Sequence, residues 1–365
     1  MIMIIVLSHF EFLQRLPDIG EFYLKYLHNA VIAVDFFFLL SGFGMMLGSL
    51  AKVPEEELSA PTIQACFRYG IRHIRKIYPL YLATMIFSVL AKFAYAIYDS
   101  NFTVSYIAHE AVKIVVNVLL LQSMSGMMFF ITYNLAAWFL STLFCIYLIS
   151  PLLIWVLRKI SRTNLTHILL AVANIAMAVI LAVAFEKVEA FSKRLPGPDI
   201  DNMVYVSPFR RVFYVLLGMN LAMIFHGIKS SGAVISGKIL NIAEATVSLQ
   251  ALAFFFARNS FPRGVYLYAI DMVLCAILVF TFSFDGGRIS AWLSKPAMQR
   301  LGRVSMYIFL VHYPIRLYFS RLVSDLFENS LLTAVLFIVF IMTTTVLITE
   351  ILYRRDLRKL PQNPS

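Results

Sequence analysis

From end to end the chain repeats one pattern: an apolar run of about twenty residues, then a short stretch rich in Arg, Lys, Pro or Gly, then another run. At about 1.5 Å per residue, such a run crosses roughly 30 Å of hydrocarbon. With no water to satisfy backbone groups there, each run must pair its own, which makes it a helix. The runs fall at 1–10, 30–51, 73–98, 133–157, 166–185, 208–227, 237–257, 264–284, 302–322 and 331–353. None shows the two-residue alternation of a membrane barrel. The predicted fold is therefore all-α, a polytopic transmembrane helical bundle of about ten spans. Composition agrees: 60% of residues are hydrophobic, 14% are charged, and the mean hydropathy is +0.80. A soluble domain could not bury that much apolar surface.

The opening, MIMIIVLSHF, is too short to cross alone and has no basic region of a cleavable signal peptide. The first span is expected to be incomplete, as in a truncated start. Residues 111–122 form another short apolar segment, better suited to a buried or re-entrant helix than to a span. Charge bookkeeping supports that choice. With ten spans and both termini in the cytoplasm, the cytoplasmic segments hold the majority of the 31 Lys and Arg residues, among them Arg158, Lys159, Arg162, Lys229, Lys238, Arg354, Arg355, Arg358 and Lys359. The net charge of +11 thus reflects topology and contact with membrane lipids rather than nucleic acid. LPGPD at 195–199 marks a turn in an outer loop. The three cysteines, Cys66, Cys145 and Cys275, make neither a disulfide framework nor a CxxC metal pair.

One stretch, RYGIRHIRKIYPLYL, stands out at 68–82. Arg68, Arg72, Arg75 and Lys76 recur at helical spacing and gather on one face at the mouth of the third apolar run. Such a face anchors a span end in the cytoplasm, or it binds the phosphates of a soluble anionic molecule.

A second group is polar and intramembrane. His9 lies in the first apolar run and has the chemistry of a general base. Asp35 sits in VDFFFLLSGF, where a carboxylate needs a partner or a polar cavity. Ser41 and Gly42 follow, suited to close helix approach, and no nucleophile elbow surrounds the serine. Glu244, Asp271 and His312 are further intramembrane polar residues, open to pairing within the bundle or to a proton pathway. Tyr133, Asn134 and Trp138 are suited to a sugar, although aromatic residues also collect at membrane interfaces.

Taken in order, these residues resemble a known family. His9, then Asp35, Phe37, Phe38, Ser41, Gly42 and Phe43, then Arg72, His73, Ile74 and Arg75 with Tyr78, Pro79, Leu80 and Tyr81, are similar to the membrane-bound acyltransferase 3 family. So are Trp138 to Pro151, and Gly302, Ser305, Tyr307, Leu310 and His312. The resemblance covers 1–354 as one transmembrane domain, with 355–365 as a cytoplasmic tail. It implies transfer of an acyl group, commonly acetyl, from cytoplasmic acyl-coenzyme A to a hydroxyl of a cell-envelope glycan or lipid-linked sugar, in the cell membrane. His9 and Asp35 would be catalytic. Arg68, Arg72 and Arg75 would hold the coenzyme, and Ser41, Tyr133, Asn134 and Trp138 would meet the acceptor. Thioester transfer needs a base and oxyanion donors but no metal or tightly bound cofactor. Two departures are visible. The family's arginine eleven positions before the histidine would precede Met1, and Leu143 stands where many members carry glutamate. The rival readings are a transporter or flippase for an anionic lipid-linked sugar, for which no inverted repeat is found, and an inactive truncated family member.

Overall fold

The computed structural model describes residues 1–17, 19–28, 30–99, 103–124, 133–160, 163–192, 205–261, 265–326 and 331–358, and every regular element among them is helical. The LPGPD turn, Arg162 and Lys359 lie outside the described residues. The helices are α1 (Ile2–Ser8), α2 (Val31–Lys52), α3 (Ile63–Ile74), α4 (Tyr78–Tyr98), α5 (Val104–Val118), α6 (Trp138–Ile160), α7 (Asn164–Ser192), α8 (Pro208–Ser230), α9 (Gly237–Ala257), α10 (Val265–Phe282), α11 (Arg288–Leu293), α12 (Pro296–Leu326) and α13 (Leu331–Arg358). Short helical turns over residues 11–27 join α1 to α2.

Among the described residues each of the ten apolar runs contains a helix, and seven of the helices are long and apolar enough to cross a membrane. The other three runs differ for visible reasons. In α1 there are only seven residues; the apolar part of α10 is short; and α12 carries Arg300, Arg303, His312 and Arg316 along its length. Large apolar side chains such as Leu90, Ile97, Val172, Leu249, Leu252, Leu336 and Leu347 are exposed. On a water-soluble protein that would be a liability, but against lipid it is the normal outer face.

The bundle is built around α2 and α8, which run side by side in the same direction. Gly42 and Gly218 set their separation. A Cβ on Gly42 would meet the Val215 carbonyl oxygen at 2.0 Å, and one on Gly218 would meet the Leu39 oxygen at 2.0 Å. Only glycine at both positions lets the backbones come this close. The close approach expected of Gly42 is thus found, while Ser41 returns its hydroxyl to the Phe37 carbonyl of its own helix at 2.7 Å.

The basic stretch and the third apolar run are two elements rather than one. Thr62 caps α3 by accepting from the Ala65 amide, and α3 ends at Ile74. Pro79 lies in the first turn of α4, where a proline is tolerated, so the run predicted to begin at 73 begins at Tyr78. Arg75 and Lys76 occupy the turn between. Ile63, Phe67 and Ile71, spaced by four, are all exposed on α3. That stripe faces away from the bundle, while Tyr69, Gly70 and His73 on the other side of α3 pack along α6 against Phe144, Tyr147 and Leu148.

Of the segment 111–122 predicted as a short inserted helix, residues 111–118 belong to α5, which begins earlier at Val104 and is 15 residues long, and 119–122 lie beyond its end. The hydroxyls of Tyr78 and Tyr81 on α4 donate to the Val118 and Asn117 carbonyls at 2.7 Å each, closing the C-terminal end of α5. Glu110 of α5 takes Lys92, Lys113 and the Tyr133 hydroxyl at 3.1, 2.9 and 2.7 Å. Burial pushes the Glu110 carboxyl up, but those three donors outweigh it and hold the carboxyl below its usual range.

Several buried charges find ion-pair or hydrogen-bond partners inside the bundle. Asp271 meets Arg258 at 2.8 Å. Glu244 accepts from the amides of Gly287, Ile289 and Ser290 at 3.0, 2.9 and 3.1 Å and from the Ser290 hydroxyl, fastening the start of α11. Arg158 is buried and donates to Ser49 and to the Val53 carbonyl, so it ties α6 to the end of α2. These contacts, with Phe225 against Phe284 and Arg300 against Glu350, bring the ends of α2, α6, α8 and α13 and the starts of α9 and α12 to the same side of the bundle as α3. That side is called the basic end below.

Candidate active site

His9 follows the last residue of α1, and two side chains fix it there. The Tyr23 hydroxyl donates to the Ser8 carbonyl at 2.7 Å, satisfying an acceptor that the end of α1 leaves open. His9 Nδ1 lies 2.9 Å from His312 Nε2 of α12, with the rings stacked 5.1 Å apart. His312 Nδ1 lies 2.9 Å from the Ile308 carbonyl oxygen. A carbonyl only accepts, so His312 Nδ1 carries a proton and, in a neutral ring, its Nε2 is a lone pair. That lone pair takes the proton on His9 Nδ1. The remaining nitrogen of a neutral His9, Nε2, is then an acceptor. His312 is 1% exposed, whereas His9 is half-buried, so His9 is the member open to a reactant. Arg316, one turn beyond His312, pairs with Glu11 at 3.0 Å.

Pro314 stabilises this arrangement indirectly. A proline has no N–H, so the Leu310 carbonyl four residues earlier loses its helical partner. Asn134 supplies one: its side-chain amide donates to Leu310 O at 2.9 Å and to Thr84 Oγ1 at 3.2 Å. Asn134 thereby ties α4 and the approach to α6 onto α12 two residues from His312.

Asp35 is fully buried and its Oδ1 takes Arg211 of α8. The structure brings it to Arg211, within the α2–α8 contact, and records no hydrogen bond from it to His9. The Arg211 guanidinium is enclosed by rings, with Tyr205 at 4.6 Å, Phe38 at 5.5 Å, and Trp138 and Tyr214 at 5.6 Å. Three of the acceptor-side residues predicted from sequence are buried among internal partners: Trp138 in this enclosure, Tyr133 on Glu110, and Asn134 on Leu310. Arg211, Tyr23 and the pairing of His9 with His312 were not singled out. Arg211 stands at a helix start, where an arginine reads as an ordinary flanking charge.

At the basic end a cavity of about 790 Å³ opens between the second half of α2, α3 and the second half of α6. Arg72, His73, Lys76, Lys52, Tyr69 and Trp155 line it, with Glu57 as an opposing charge. Arg68 and Arg75 are exposed on α3 and in the turn after it, outside this lining. His73 stacks on Tyr69 with centroids 4.0 Å apart and leans on Tyr147 at 4.9 Å.

The family profile of the acyltransferase domain matches residues 1–354. This chain belongs to the acyltransferase 3 family. It is a multi-pass membrane protein whose reaction class is acyl transfer. Among relatives of this kind, the acyltransferase MdmB of Streptomyces mycarofaciens is 28% identical over 306 residues, covering 80% of this chain and 69% of the relative. No solved structure matches. Family membership gives the histidine pair and the basic cavity a common context, since acyl transfer needs both a base and a seat for the donor.

Proposed function

We propose that this acyltransferase moves a short acyl group, acetyl in the simplest case, from acyl-coenzyme A to a hydroxyl of a cell-envelope carbohydrate or lipid-linked sugar. The observation that carries the reading is the hydrogen-bond chain Ile308 carbonyl, His312, His9, which leaves an imidazole lone pair at His9 Nε2. In the reaction the acceptor hydroxyl gives its proton to that nitrogen while its oxygen attacks the thioester carbonyl carbon. The C–S bond then breaks and the departing sulfur takes the proton from His9. His312 accepts from His9 Nδ1 throughout and steadies the imidazolium.

The basic cavity is the proposed seat of the nucleotide end. Arg72, Lys76 and Lys52 supply positive charge for the phosphates, and Tyr69, His73 and Trp155 supply ring faces for adenine. Arg68 and Arg75 add to the attractive field around its mouth. The basic end is proposed to face the cytoplasm of a cell membrane, with both termini and the 355–365 tail on that side.

The test measures thiol release from acetyl-coenzyme A by protein purified in detergent, with an envelope sugar as acceptor. His9→Ala is expected to lower the rate by about 10² to 10⁴ at unchanged donor affinity. Arg72→Lys is expected to weaken donor binding by roughly tenfold at fixed ionic strength, since an ammonium lacks the two-pronged contact. A His9→Ala enzyme within tenfold of wild type would remove His9 as the base.

A further inference from the structure

Next to the histidine pair, on the same two elements, lies an ion pair. Glu11 follows His9 by two residues in the turn after α1, and Arg316 follows His312 by one turn of α12. Their side chains meet at 3.0 Å. The Arg316 guanidinium stands 5.7 Å from the centre of the Tyr313 ring, and that ring meets His9 edge-on at 5.4 Å. Contacts therefore lead from His9 through Tyr313 to Arg316.

The ion pair lies on the side of the histidines away from the basic cavity. Helix α12 starts at the basic end with Pro296, so at the helical rise His312 is about 24 Å along it and Arg316 about 30 Å. With a donor seated in the basic cavity, the side left to the acceptor is the one that Glu11 and Arg316 flank.

The two partners are held unequally. Side-chain exposure is 12% for Arg316 and 41% for Glu11. An ion pair with an exposed member is weak and readily exchanged. It is also incomplete. Nε and Nη2 form one edge of the guanidinium, an edge shaped for two oxygens of a single acid. Glu11 takes Nη2, while Nε is buried without a hydrogen-bond partner among the described residues. A buried donor left unpaired costs free energy, so this edge favours any acid that fills both positions.

We propose that Arg316 recognises an acid group, carboxylate or phosphate, on the sugar that receives the acyl group, and that Glu11 holds the place until such a group displaces it. This rests on the acyl-coenzyme A reading above. The incoming acid brings two oxygens to the Nε–Nη2 edge and pairs both donors where Glu11 pairs one. Glu11 is exposed, so its carboxylate finds water when it swings aside. Held by its acid, the sugar presents a neighbouring hydroxyl to His9 Nε2. A neutral sugar leaves the Glu11–Arg316 pair in place and gains nothing from it.

The experiment measures acetyl transfer from acetyl-coenzyme A to a neutral hexoside, a uronic acid and a hexose phosphate, at fixed ionic strength. Wild type, Arg316→Gln and Glu11→Gln are compared, with a thermal midpoint for each. Wild type is expected to show about tenfold higher kcat/KM on a charged sugar than on the neutral one, carried by the acceptor KM. Whichever charged sugar leads identifies the acid group. Arg316→Gln is expected to lower the charged-to-neutral ratio about tenfold with the donor KM unchanged. Glu11→Gln removes the competing carboxylate but keeps the guanidinium, and is expected to raise the ratio about threefold. A wild type that treats all three sugars alike, or favours the neutral one, would overturn the proposal and leave the donor reading standing. Equal losses on all three acceptors in Arg316→Gln would overturn it too, marking the arginine as packing. If that variant is too unstable to assay, the wild-type preference and the direction of the Glu11→Gln change decide. Transfer to none of the sugars would bring down the acceptor reading and this proposal together.

Discussion

His312 illustrates how one buried residue can define the chemistry of another. Its Nδ1 is committed to the Ile308 carbonyl, so its Nε2 accepts, and that choice fixes which nitrogen of His9 is basic. The role needs an acceptor at that point rather than an imidazole as such. His312→Gln provides an amide oxygen and is expected to retain kcat within about tenfold of wild type. His312→Leu, of similar bulk but without an acceptor, is expected to lose roughly 10² in kcat with the donor KM unchanged. Equal losses in both variants would mark His312 as packing only. The sequence showed His9 and His312 as costly polar residues in apolar runs, but not that they meet, since 303 residues separate them. Asp35 was legible in the same way. Its partner Arg211 was hidden because a positive charge at a helix start has an ordinary explanation.

At the scale of the helix, glycine position matters more than glycine content. Gly42 and Gly44 are two residues apart on α2 and have opposite surroundings. A side chain at Gly42 would collide with the α8 backbone, while one at Gly44 meets nothing within 4 Å. Gly42→Ala should therefore lower the thermal midpoint in detergent, with a cost of about 1–3 kcal/mol for forcing the helices apart. Gly44→Ala should leave the midpoint unchanged or raise it, since alanine is the better helix former by up to ~1 kcal/mol. Similar midpoints for the two variants would show that α2 and α8 do not pack as described. Helix existence was readable from sequence because lipid demands continuous apolar segments. The boundary between α3 and α4 was not, because the basic face of α3 and the apolar run of α4 join without a change of period. Pro79 was its clearest local marker.

For the molecule as a whole, the arrangement predicts one orientation. Lysines and arginines gather where α2, α6, α8 and α13 end, and topology responds to such an excess. In a cysteine-free background, Ser231→Cys in the exposed turn after α8 should react with an impermeant maleimide only after the membrane is opened. Ser105→Cys, exposed at the start of α5, should react from outside in intact cells. The reverse pattern would invert the molecule and place the basic cavity outside the cell. The buried pair of Asp35 and Arg211 also carries a consequence for how the protein is made. The two are 176 residues apart in the chain. At a synthesis rate of about 5–20 residues per second, Asp35 is made about 9–35 s before its guanidinium exists. In that interval the second helix holds a carboxylate that lipid disfavours, and the segments between enter around a helix whose counter-charge has yet to be translated. The contact that joins α2 to α8 can therefore form only once α8 has been made.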